Sequence, residues 1–150
     1  MFTVKRTNGN DADLRELVMQ LDKFLWSVYN QGMEYYSRFN YVDADHEAIV
    51  IYNDNKPVGC GCLRNVDADT AEVKRMFVLP YERKKGIATQ VLKELEKYAA
   101  ELGYKKIILE TGKSLTETVQ LYQKHQYQIM DNYGPYIGME ESVCMKKIIA

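Results

Sequence analysis

Arg83, Lys84, Lys85, Gly86, Ile87 and Ala88 follow an apolar stretch, Glu72 to Leu79, and open an amphipathic one. This sets three cations where a helix start already carries positive partial charge. Helix N-termini favour Asp or Glu, so clustered Arg and Lys there repel one another unless a polyanion joins them. A phosphate or pyrophosphate is the natural guest. Gly86 and Ala88 sharpen that reading, because minimal side chains let a ligand oxygen approach the main-chain amides. The alternative is a set of solvated lysines on a turn.

The rest of the chain bounds what that guest can be. With 150 residues, 46% hydrophobic and 27% charged, the sequence fits one globular domain over residues 1–150. A formal net charge of -1 argues against general nucleic-acid binding, which is left as a distant third reading, and makes the basic cluster a local feature aimed at a small anion. Met1 to Thr7 is too short and mixed for a signal peptide, and no apolar run is long enough to span a bilayer, so no membrane partner is expected. Cys60, Cys62 and Cys144 make an odd count without ligand spacing. His46 and His125 lie far from them in sequence. Core thiols in a reducing cytoplasm are expected, and no metal site.

The elements that must position the basic loop are readable from periodicity. Phe2 to Thr7 has strand character, and Asn8 to Asp11 punctuate the start of a helix carrying Leu14, Leu17, Val18, Leu21, Leu25 and Val28. Gly32 is expected to interrupt that helix, with a second short one through Tyr35, Tyr36 and Phe39. His46 to Tyr52 and Val58 to Val66 form a hairpin through Asn53 to Lys56. Glu72 to Leu79 is the next strand, stopped by Pro80. Ile87, Ala88, Val91, Leu92, Leu95, Tyr98, Ala99 and Leu102 give the following helix a broad apolar face, with Gly103 as its end cap. Lys106 to Glu110 returns as a strand, and the right-handed crossover favours a parallel pair with Glu72 to Leu79. Ser114 and Glu117 make a capping box for a helix to about Gln126. Tyr127 to Tyr133 and Ser142 to Ile148 close the sheet around a loop with Gly134, Pro135 and Gly138. Anions bind outside the carboxyl ends of such parallel strands, which is where the basic loop falls.

The loop is neither a Walker loop nor a dinucleotide fingerprint, since the glycine spacing of both is missing. Arg83-x-x-Gly86-x-Ala88, after Val78, Leu79, Pro80 and before a long amphipathic helix, resembles the coenzyme A loop of the GNAT acetyltransferase superfamily. The resemblance covers almost the whole chain. Leu121-Tyr122 with Tyr127 is similar to the family signature Leu-Tyr-x-x-x-Gly-Phe, and Leu109 to Gly112 looks like the Leu-Glu-Thr-Gly strand end of some bacterial members. Gln126-Tyr127 stands in place of Gly-Phe, and Leu115 and Thr118 in place of Asn and Ala.

The resemblance implies an α/β fold: a single-domain, mostly antiparallel mixed sheet of about seven strands with a splayed parallel pair and flanking helices. It implies acetyl-CoA as cosubstrate. Lys84, Lys85, Gly86, Ile87, Ala88 and Thr89 would bind the pyrophosphate with Arg83, and Met76, Phe77 and Val78 would offer unpaired main-chain groups to the pantetheine arm as an added strand. The Met76 amide would hold the thioester oxygen. Glu72 sits where a general base would, and Tyr122 where a general acid would protonate the thiolate. The plainer alternative for Glu72 is a strand-end carboxylate facing solvent or a neighbouring lysine.

The acceptor is expected to be a small or amino-acid-like primary amine. The aromatic segment Trp26 to Tyr41 and the loop with Tyr133 and Tyr136 are candidates to contact it, and Glu34, Asp43, Asp45, Glu140 and Glu141 to attract it. A non-catalytic coenzyme A sensor is the competing function. GNAT-like domains often pair, which ranks a homodimer slightly above a monomer.

Overall fold

Strand-like and helical apolar spacings alternate along the chain, and the computed structural model, which describes residues 1–28 and 41–150, resolves them into seven strands and three helices among the described residues. In chain order these are β1 (Phe2–Asn8), α1 (Ala12–Val28), β2 (Glu47–Asn53), β3 (Lys56–Asn65), β4 (Thr70–Val78), α2 (Ile87–Glu101), β5 (Lys106–Gly112), α3 (Thr116–Lys124), β6 (Gln128–Met130) and β7 (Ser142–Ile148). The break expected at Gly32, the short helix through Tyr35, Tyr36 and Phe39, and Glu34 lie outside the described residues. The mixed sheet runs β1-β2-β3-β4-β5-β7-β6. Its parallel pair is β4 with β5, as the crossover implies, and the pairing spans Thr70–Val73 against Lys106–Leu109. The chain forms two compact units, Met1–Arg64 with Lys74–Leu95, and Asn65–Val73 with Glu96–Ala150.

In the first unit, Asp11 Oδ1 accepts the Leu14 amide at 3.0 Å and so caps α1. Leu14, Leu17 and Leu21 are the buried stripe of that helix. The β2–β3 hairpin turns at Asp54 and Asn55, both at positive φ (49° and 72°), the conformation that matches the twist of a two-residue hairpin. Val58, Cys60 and Cys62 point into the core from β3. Gly59 and Gly61 let α2 lie close: a β-carbon at Gly59 would stand 2.6 Å from Ile87 Cγ2, and one at Gly61 would stand 2.7 Å from Leu95 Cδ1. This contact fixes the start of α2, and with it the basic loop.

In the second unit, Ile107 and Leu109 of β5, Met145 of β7 and Ala99 of α2 are fully buried. Burying a side chain the size of Ile107, Leu109 or Met145 is worth about 1.5–3 kcal/mol. Glu96 on α2 accepts hydrogen bonds from Tyr127 Oη at 2.8 Å and Lys147 Nζ at 3.0 Å.

Four local readings are corrected. Helix α2 stops at Glu101 because Gly103 takes the left-handed conformation (φ 92°), so Leu102 falls off the apolar face and is 48% exposed. Helix α3 begins at Thr116 with Leu115 at its cap and no side-chain cap hydrogen bond, the turn being closed by the Leu115 amide on the Gly112 carbonyl at 3.0 Å. The same helix ends at Lys124, short of Gln126, which sits at φ 69°. Strand β6 is confined to Gln128–Met130: Tyr127 turns inward, and Asn132 Nδ2 is spent on the loop carbonyls of Tyr136 and Met139.

Candidate active site

The basic loop lies wholly in the first unit. A short 3-10 turn, Pro80–Glu82, leads into it, and Lys84 (φ 65°) and Gly86 (φ 82°) both take left-handed backbone before α2 starts at Ile87. Successive conformations of this kind turn main-chain amides toward one side, the geometry of an anion nest. The first intrahelical bond is Gln90 N to Gly86 O, so the amides of Ile87 and Ala88 have no helical carbonyl to bond. No acidic residue occupies that first turn. A β-carbon built on Gly86 meets no atom of the described residues within 4 Å, so these residues leave the space above the turn open.

The three cations are not equivalent. Arg83 Nε donates to the Val78 carbonyl at 3.1 Å, and its guanidinium lies 5.5 Å from the Phe24 ring and 5.9 Å from the Phe77 ring. Lys85 Nζ pairs with Glu82 at 3.1 Å, and that hydrogen bond holds the Glu82 carboxyl below the usual carboxylate range. Lys84 is exposed. One expectation is thereby corrected: the Val78 carbonyl is not an unpaired strand group, since Arg83 occupies it. Phe77 and Val78 bury their side chains, and Met76 is half-buried against the Gly61 position.

The second unit holds the titratable groups. Glu72, opposite Ile108 in the parallel register, is 2% exposed and accepts the Tyr133 hydroxyl on Oε2 at 2.6 Å. The solvated strand-end alternative therefore fails. Burial, then the charge of Glu72 and its hydrogen bond, push the Tyr133 hydroxyl well above the usual phenol range, so it remains a donor. Tyr136, assigned by sequence to the acceptor along with Tyr133, is buried and packs edge-on against the Tyr133 ring at 5.6 Å, which steadies it.

Glu110 lies two residues beyond Ile108 and so shares its strand face. Its Oε2 accepts Ser142 Oγ at 2.7 Å, and Cys144 stands opposite it in register. Tyr122 on α3 is 4% exposed, with its ring edge-on to Tyr127 at 5.6 Å. Burial, then Glu110, push its hydroxyl above the usual phenol range. Burial also pushes the thiols up, Cys62 to about 12 and Cys144 to about 11, so neither is a thiolate at neutral pH. Sequence reasoning missed the partners of the two carboxylates. The Tyr133–Glu72 pair is 61 residues apart and leaves no local pattern, whereas the β5–β7 pairing could have suggested Ser142.

The first unit thus carries a basic loop at a strand-to-helix turn, and the second, taken by itself, a buried carboxylate and a buried tyrosine. The model of the acetyltransferase (GNAT) family matches residues 13–127. The IAA acetyltransferase of Azospirillum brasilense is 27% identical over 147 residues, covering 97% of this chain and 96% of its own. The uncharacterized N-acetyltransferase YjcF of Bacillus subtilis is 32% identical over 103 residues, covering 69% and 71%. A GNAT family acetyltransferase from Elizabethkingia anophelis, solved with acetyl-CoA bound, is similar in fold with a TM-score of 0.71 at 21% identity, covering 98% of this chain and 97% of that one. The chain belongs to the acetyltransferase (GNAT) family and is an acyltransferase of that family.

Proposed function

We propose that this protein is an acetyl-CoA-dependent N-acetyltransferase that moves the acetyl group directly from the thioester to a primary amine of a small or amino-acid-like acceptor. The observation that carries the cosubstrate is the loop: two left-handed residues, a helix start without an acid, and open space above Gly86 fit a pyrophosphate among amides. Arg83 and Lys84 supply charge, with Lys85 shared with Glu82. Amides from Lys84 to Thr89 hold the phosphates, and main-chain groups of Met76 and Phe77 meet the pantetheine arm, the Met76 amide holding the thioester oxygen.

Glu72 takes the proton that the attacking amine must lose. Tyr133 keeps that carboxylate oriented and offers the acceptor its ring. Tyr122 donates a proton to the departing sulfur. Three buried, protonated thiols favour direct transfer over an acyl-cysteine, and unpaired thiols support a cytoplasmic location. No described helix is long and apolar enough to cross a membrane.

A thiol-release screen with acetyl-CoA against a panel of primary amines tests this reading. Amine-dependent release of coenzyme A is expected. Tight coenzyme A binding without release across the panel would replace the enzyme with a coenzyme A sensor.

A further inference from the structure

Arg75 sits inside β4 at φ 61°, a conformation disfavoured for any residue with a β-carbon. A left-handed residue within a strand is how a bulge redirects the chain. Its side chain is 3% exposed. Nη2 donates to the Asp22 carboxylate and, at 3.5 Å, to the Val18 carbonyl, both on α1, and the Arg75 carbonyl accepts Cys60 Sγ at 3.4 Å. Nε is buried and has no hydrogen-bond partner among the described residues. A buried arginine with an unsatisfied nitrogen, on a disfavoured backbone, is a poor device for stability alone. Strain and an orphan donor at one residue point instead to a conformation held for use.

The position of the bend gives that use. Residues before it, Thr70–Val73, pair with β5, and the residues after it are Met76, Phe77 and Val78. Glycine would adopt this φ freely but would leave the bend unfastened. Arginine fastens it, because its guanidinium is anchored on α1.

We propose that Arg75, tied to α1 through Asp22, is a positioning residue whose left-handed bend presents the main chain of Met76 and Phe77 to the pantetheine arm. This rests on the acetyl-CoA reading above. The coenzyme's two halves separate the contributions: the basic loop holds the diphosphate, and only the strand edge meets pantetheine.

Calorimetry with two probes therefore tests it, coenzyme A and 3′-phosphoadenosine 5′-diphosphate, which lacks the pantetheine arm. Arg75→Ala should weaken coenzyme A by about tenfold while leaving the truncated probe within about twofold. Arg75→Gly should recover part of the loss because glycine tolerates the bend, and Asp22→Asn should lose affinity in the same selective way. Unchanged coenzyme A affinity in Arg75→Ala, equal weakening of both probes, or no recovery in Arg75→Gly would overturn it. Should Arg75→Ala not fold, an unaltered ratio of the two affinities in both Arg75→Gly and Asp22→Asn overturns it equally. A wild-type chain that binds neither probe removes the acetyl-CoA reading, and this inference with it. Slow thiol release by a wild-type chain that binds both leaves that reading standing whatever Arg75 does.

Discussion

Tyr133 Oη donates a 2.6 Å hydrogen bond to a carboxylate oxygen of Glu72, which is buried on the face of β4 that runs beside β5. That contact fixes where the carboxylate points. Tyr133→Phe removes the donor and frees the carboxylate to rotate, so kcat should fall by about tenfold with coenzyme A affinity retained. Glu72→Gln should lower turnover at pH 7 by about 100-fold or more with coenzyme A affinity retained. Unchanged kcat in Tyr133→Phe dismisses the coupling; undiminished turnover in Glu72→Gln dismisses the base.

Burial and then Glu110 hold the Tyr122 hydroxyl above the usual phenol range, so its proton is present at every working pH, as the proposed acid role requires. Tyr122→Phe should cost about 10²–10⁴ in kcat with little change in coenzyme A affinity. The wild-type profile should show no falling limb from this group up to about pH 10. Full activity of Tyr122→Phe across that range takes the acid role from it.

Gly86 combines left-handed backbone with empty space where a β-carbon would go. Gly86→Ala therefore meets no clash in the free protein but pays for its conformation, lowering stability by about 1 kcal/mol. The added methyl also occupies the approach of a phosphate oxygen to the amides. Coenzyme A affinity should fall by more than about tenfold, beyond what a backbone change alone explains. Calorimetry beside a urea titration separates the two effects, and equal affinity of the two proteins would move the pyrophosphate elsewhere.

Gln126, two residues beyond the end of α3, takes left-handed backbone at φ 69°, with its amide on the Gln123 carbonyl at 3.1 Å and the Tyr127 amide on the Tyr122 carbonyl at 3.0 Å. This is where the family signature has glycine, and the chain keeps the turn without that residue. Gln126→Gly should stabilise the protein by about 0.5–1 kcal/mol, the relief of a β-carbon in this conformation less the extra freedom gained by the unfolded chain. A urea midpoint that falls would show the Gln126 side chain to be worth more than the strain.

Local spacing carried the elements, because strand alternation and helical periodicity are read within a few residues: β1, α1, the β2–β3 hairpin, β4, α2 and β5 all fall where Phe2 to Glu110 suggest. The boundaries that moved are those decided by one dihedral or one distant partner, as at Gly103, Leu115 and Asn132. The same divide runs through the site. The loop from Arg83 to Thr89 is contiguous and therefore legible. The Tyr133 hydroxyl on Glu72, Ser142 on Glu110 and Asp22 on Arg75 join residues that only folding brings together. Arg75 carries no turn residue's signature, so its left-handed backbone had no sign in composition or spacing.

Burial raises the thiols of Cys62 to about 12 and of Cys144 to about 11, and lifts the hydroxyls of Tyr122, Tyr127 and Tyr133 above their usual value. In the unfolded chain, thiols lose protons near pH 9 and phenols near pH 10. Above about pH 9 the unfolded state thus binds fewer protons than the folded one, and stability must fall as pH rises. Below that the same groups are protonated in both states and contribute no slope. The urea midpoint should therefore drop steadily between pH 9 and about pH 11. Cys144→Ala should flatten the early part of that drop, since its thiol holds a proton in the folded chain up to about 11. A midpoint unchanged to about pH 11 would mean that these groups ionise within the fold as readily as outside it, and that water reaches the Glu110–Cys144 row.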